Sequence, residues 1–102
     1  MFITVDVASG ELGLEQPDVL TQFHVSASGG DLDAVVAALG AHGRAADAPD
    51  HVFIAIASVR EWAVGRVDES WEAGFQKMLD YARSKGWLDE SGTHIQAHLE
   101  WA

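Results

Sequence analysis

The residues Thr93 to Ala102 alternate strictly, and this constrains the fold more than any other feature of the chain. Ile95, Ala97, Leu99 and Trp101 fall on one parity; His94, Gln96, His98 and Glu100 fall on the other. Successive side chains of a strand point to opposite faces, so period two marks a strand with one apolar and one polar face. Such a strand needs other strands to pair with and an apolar layer on one side only.

The rest of the chain supplies both. Phe2 to Ala8 sets Ile3, Val5 and Val7 against Phe2, Thr4, Asp6 and Ala8, a first strand. Ser9 to Asp18 carries Gly10, Gly13 and Pro17 and reads as a loop pinned by Leu12 and Leu14. Val19 to Ala27 reads as a second strand, with Leu20, Gln22, His24 and Ser26 on its mostly polar parity. The first two strands are expected to form a hairpin. His51 to Ala57 is apolar on both parities, which predicts a central strand.

The covering layer comes from helices. Asp31 is placed to cap a helix in which Leu32, Val35, Val36 and Leu39 recur at helical spacing, with Gly40 and Gly43 as left-handed stops. Ser58-Val59-Arg60-Glu61 matches a capping box and predicts a short helix that ends by Gly65. Asp68 to Lys85 carries a stripe of Trp71, Phe75, Met78, Leu79 and Ala82, with Asp68 as its cap. Gly86 then lets Trp87 fold back onto Ala82. The expected architecture is an α+β two-layer sandwich: about four strands, mainly antiparallel. Two main helices and one short helix pack on one face, in the order β-β-α-β-α-α-β, as a single domain over residues 1–102.

Composition narrows the function classes. Sixteen acidic residues against six Lys and Arg give a net charge of −10, which repels phosphate backbones and anionic membrane surfaces. Nucleic acid and membrane are therefore not expected partners. No apolar run reaches the roughly 20 residues of a membrane span, and no basic segment resembling a signal peptide precedes the first strand, so the cytoplasm is the expected location. Cysteine is absent, which removes disulfides, thiolate metal sites and a cysteine nucleophile. Alanine is abundant, lysine scarce and asparagine absent, a usage associated with high-GC bacterial genomes.

Candidate chemistry concentrates on the polar face of the sheet. His98 and Glu100, with His24 from the second strand, form a candidate catalytic group: histidine titrates near neutrality and a carboxylate orients it. Asp6 is the other acid that the sequence offers to His98. Gln22, His94, Gln96 and Asp6 are the candidate ligand-binding residues around that group. A metal pair of His94 and His98 fails on spacing, because four residues along a strand separate two Cα atoms by about 13 Å. No metal and no cofactor are expected. Gly29-Gly30 before a helix lacks the spacing and the Lys-Ser/Thr of a phosphate loop, and Asp31 places a negative charge there. Ser58 lacks a nucleophile elbow and is read as a cap. Arg60 and Arg66 are candidate anion contacts, or partners for surface acids.

Three functional readings follow. The first is a small, acidic, soluble binding or accessory protein, homodimeric through its polar sheet face and able to take a small-molecule ligand. The second is a small-molecule enzyme of isomerase or cyclase type that uses the His/carboxylate pair. The third is an acidic inhibitor or antitoxin that masks a basic partner.

Overall fold

The computed structural model describes residues 1–102. In chain order the elements are β1 (Phe2–Asp6), β2 (Glu11–Glu15), β3 (His24–Ser28), α1 (Leu32–Leu39), β4 (Gly43–Ala45), β5 (His51–Ala55), α2 (Ile56–Ala63), α3 (Trp71–Ser84) and β6 (His94–Trp101). The fold is α+β, as the patterning predicts, but the sheet has six strands rather than about four, in the order β2-β1-β3-β6-β5-β4. It is also mixed: β1 pairs parallel with β3 and β3 parallel with β6, while β1/β2, β4/β5 and β5/β6 are antiparallel.

The two extra strands lie where the sequence reads as connection. Within Ser9 to Asp18, Leu12 and Leu14 alternate with Glu11, Gly13 and Glu15, and this short alternation pairs with β1. The turn between them is set by Gly10, at φ 76°, and by Asp6 Oδ1, which accepts from the amide of Ala8 at 3.1 Å. The hairpin partner of β1 is therefore β2. The chain then reaches the other edge of β1 across the helix side, and β3 runs parallel to β1. That crossing is held by the Trp71 indole N–H, which donates to the Pro17 carbonyl at 2.6 Å. Most of the expected second strand is consumed in the crossing, so β3 begins only at His24.

The other addition is β4, which follows a single 3-10 turn at Gly40–His42. Gly40 has φ 56° and closes α1 as expected. Gly43 does not act as a second stop: it is extended and pairs with Ile54 of β5. A Cβ there would come within 2.6 Å of the Phe53 carbonyl oxygen. The Gly43→Ala protein is expected to lose about 1–3 kcal/mol of stability, because the obstructing atom is backbone and cannot rotate away. A urea melt of that variant that overlays the parent curve would show that β4 does not lie this close to β5.

Twenty buried apolar residues form one cluster between the sheet and the helices. Ile3, Val5, Leu14, Val25, Ala27, Val52, Ile54, Ile95, Ala97 and Leu99 supply the sheet side. Val35, Leu39, Val59, Trp71, Phe75 and Leu79 supply much of the helix side. The stripe read on α3 is the buried one, with Met78 at its margin. At the end of α3 Gly86 has φ 77°, and the Trp87 N–H donates to the Ala82 carbonyl at 2.9 Å, the closure expected there. Asp31 caps α1 through the amide of Ala34 at 2.9 Å.

Two local expectations are corrected. The run His51 to Ala57 is apolar on both parities for two reasons: Ile56 and Ala57 already belong to α2, and Phe53 on the opposite face is covered by the Arg44 guanidinium, 4.9 Å from its ring centroid. β5 therefore lies next to the edge strand, and the central place belongs to β3 and β6. The capping box also fails. α2 begins at Ile56, so Ser58 falls in its first turn and faces inward, where its hydroxyl meets His42 Nδ1 at 2.8 Å. Ser58 is the one polar residue buried over backbone and side chain together. No helix is long and apolar enough to cross a membrane.

Candidate functional site

The pleat fixes which side chains share the face away from the helices. Ile3, Val25, Leu99 and their register partners point into the core, so the alternate residues of every strand point the other way. Register then aligns them in rows. Glu15, Phe2, His24, His98 and His51 stand on consecutive strands β2, β1, β3, β6 and β5. Phe2 stacks on His24 with ring centroids 4.9 Å apart and planes at 11°. His51 and His98 are 5.3 Å apart. The next row holds Gly13, Thr4, Ser26 and Glu100.

The candidate catalytic residues are thus neighbours, in a different pairing from the one read in the sequence. Glu100 sits diagonally from His24, and His24 Nε2 lies 2.9 Å from Glu100 Oε2. The sequence-based pairing of His98 with Glu100 or Asp6 is not made. His98 faces His24 on one side and His51 on the other. Asp6 is a further row away, opposite Ser28 and Glu11, and its carboxylate holds the β1–β2 turn. No three His, Asp or Glu side chains stand close enough to share a metal ion.

The candidate ligand-binding residues disperse. His94 Nδ1 is engaged by the Thr93 hydroxyl at 2.8 Å and lies 3.3 Å from the Asp89 carboxylate, at the edge of the face. Gln96 stands beside Phe53 on the face, and Gln22 lies in the crossing before β3. Both glutamines border one groove beside α3. Arg60 makes a two-pronged pair with Glu72, and Arg66 donates to the Leu14 carbonyl, so each is used within the fold.

Asp89 is the most heavily bonded acid in the molecule. Its side chain is 6% exposed. Burial alone would raise its pKa. The Arg44 guanidinium at 2.8 Å, the amides of His94 and Thr93 at 3.1 and 2.9 Å, and the Ser91 hydroxyl at 3.1 Å outweigh burial and hold the carboxyl well below the usual carboxylate range. These bonds tie the turn before β6 to β4, a structural task.

His51 and Phe2 complete the row of His24 and His98, although neither is among the candidates read from the sequence. Each is at the parity of the open face, and the signal was present: His51, Phe53 and Ala55 share the parity opposite Val52 and Ile54. No known protein family, curated protein or solved structure matches the chain.

Proposed function

We propose that the chain is a non-catalytic binding domain whose working surface is the open sheet face, and that the first occupant of that face is a second copy of the chain. The observation that carries this reading is the distribution of charge across the strand order. Glu11, Glu15 and Asp6 lie on β2 and β1; His98, His51 and Arg44 lie on β6, β5 and β4, where Glu100, held by His24, is the one acid among the open-face strand residues and Arg44 is paired with Asp89. A two-fold axis running along the strands near the β3–β6 boundary lays the acidic half of one copy over the histidine-rich half of the other. Size is adequate. The molecule measures 36 × 29 × 21 Å. With two layers stacked along the short direction the broad face spans about 1,000 Å², against the roughly 800 Å² per partner of a standard interface.

Ser26 lies near that axis, beside Glu100. Ser26→Glu would set like charges against each other at the centre of the interface, where they cost most. Sedimentation velocity across micromolar concentrations is expected to give a dimer for the parent chain and a monomer for Ser26→Glu, with circular dichroism unchanged. A parent chain that sediments as a monomer throughout would sink the reading.

A second reading keeps the His24–Glu100 contact as a proton-transfer pair, because 2.9 Å is hydrogen-bond reach and stacking on Phe2 fixes the ring. It predicts a turnover abolished by Glu100→Gln, whereas the binding reading predicts that this variant only weakens association. The reading as an acidic inhibitor has less support, because acids occur on α1, α3 and the loops as well as on the open face.

A further inference from the structure

One edge of β6 is shared by two partners. Its second half pairs with β3, from His98 to Trp101. Its first half pairs on the same edge with the segment after α3: Leu88 bridges Ile95, and the Gln96 N–H donates to the Trp87 carbonyl at 2.7 Å. The two partners splay apart where they meet, at Phe23 and Trp87. The sheet is notched there, and the notch opens under α3 as a groove of about 430 Å³. That volume lies at the lower end of the range for small-molecule sites, about 300–1,000 Å³.

The chemistry of the groove is unlike that of the rest of the surface. The chain has sixteen acidic residues, yet none of the twelve residues lining the groove is acidic. Its floor is Leu20, Phe23, Met78 and Ile95. One wall is aromatic. Tyr81 and Trp87 meet edge to face at 5.8 Å, and they stay 57% and 44% exposed, an unusual cost for a pair of large rings with no ligand. The polar groups are Thr21, Gln22, Gln96 and Lys77. None of their side chains is hydrogen-bonded within the chain. Lys77 makes no ion pair within the chain, and Asp80, three residues further along α3, accepts from Gln76 at 3.0 Å.

We infer that this groove is a binding site for a small planar aromatic ligand carrying one anionic group. The rings lie on the apolar floor against Trp87 and Tyr81, and the anion meets the Lys77 ammonium with the amides of Gln22 and Gln96 as further donors. A cationic ligand finds no counter-charge among the lining residues. A purely apolar one leaves the Lys77 ammonium unused. The site opens beside α3, and Gln96 is the one strand residue of its lining that also belongs to the face of the proposed dimer.

The test uses two fluorescent probes on the intact chain. Anilinonaphthalene sulfonate is an aromatic anion; N-phenylnaphthylamine has the same ring systems without the sulfonate. The sulfonate is expected to bind saturably, one per chain, and more tightly than the neutral amine. Lys77→Glu is expected to weaken it by about fivefold, the upper range for a solvent-facing ion pair, and to leave the neutral probe unchanged. Tyr81→Ala, at a mainly exposed position, weakens both probes. Amide chemical shifts perturbed by the sulfonate are expected to map to Thr21–Phe23, Trp87 and Gln96. Equal affinity for the two probes, no response to Lys77→Glu, or shifts confined to Thr4, Ser26 and His51 on the open sheet face would each overturn the assignment.

Discussion

Replacing Phe75 by alanine is expected to lower the unfolding free energy by about 3–5 kcal/mol, the usual loss for a fully buried aromatic. Phe75 is completely buried at the middle of the α3 stripe. Trp71 stacks on it at 4.6 Å, and the Arg60 guanidinium lies 5.2 Å from its ring centroid. Neither neighbour is free to fill the space. Trp71 is tied to the Pro17 carbonyl, and Arg60 is tied to Glu72. The cavity therefore stays open, and the cost falls at the upper end. For a domain of this size the thermal midpoint drops by at least about 12 °C. Met78, at the margin of the stripe, is the internal comparison: Met78→Ala costs clearly less. Equal losses for the two variants would mean that the core is not centred where α3 crosses the sheet.

Asp89→Ala is the second large effect, a loss of about 2–3 kcal/mol, because hydrogen bonds to a buried charged group are individually strong but not additive. The acid dependence distinguishes this from simple truncation. The carboxyl is depressed in the folded chain, so its contribution is complete above the unfolded value near about 3.9 and is lost as pH falls through the lower folded value. The stability gap between the parent chain and Asp89→Asn is thus widest at neutral pH and closes on strong acidification. Asp68 is also depressed, through its hydrogen bonds from Ser70, but it is common to both proteins and cancels in the difference. A gap that stays constant down to about pH 2 would remove the carboxylate from the account.

Long-period and short-range signals were legible in the sequence; pairing was not. The α3 stripe, its Gly86 closure, the Asp31 cap and the alternation of β6 are each written within one element, and each appears in the fold. The parallel pairing of β1 with β3 depends on where Pro17 and Leu20 lodge on α3, contacts between residues about fifty positions apart. β2 is hidden because Gly13 looks like a loop residue, although it pairs with Thr4 of β1, where a Cβ would come within 2.6 Å of the Thr4 hydroxyl in its present rotamer. Trp101 was read as core from its parity alone. It is 46% exposed, at the end of β6 where the chain closes. The candidate site followed the same pattern. The face carrying His24, His98 and Glu100 was visible as a parity, but the contact of His24 with Glu100 depends on the register between two strands.

The shared strand β6 has a consequence for the order of assembly. β2, β1 and β3 form one ladder and β5 and β4 another, and only β6 joins them. It is the sixth strand in chain order but stands fourth in space. Until Ile95 and Leu99 emerge, the two ladders have no common hydrogen bond, and β3 and β5 each present an unpaired inner edge. Closure of the sheet is therefore a late, long-range event, of the kind that slows folding and exposes strands to wrong partners. A nascent chain released at Ser84 would carry both open edges and the apolar side of α3, and would be a substrate for chaperones and aggregation.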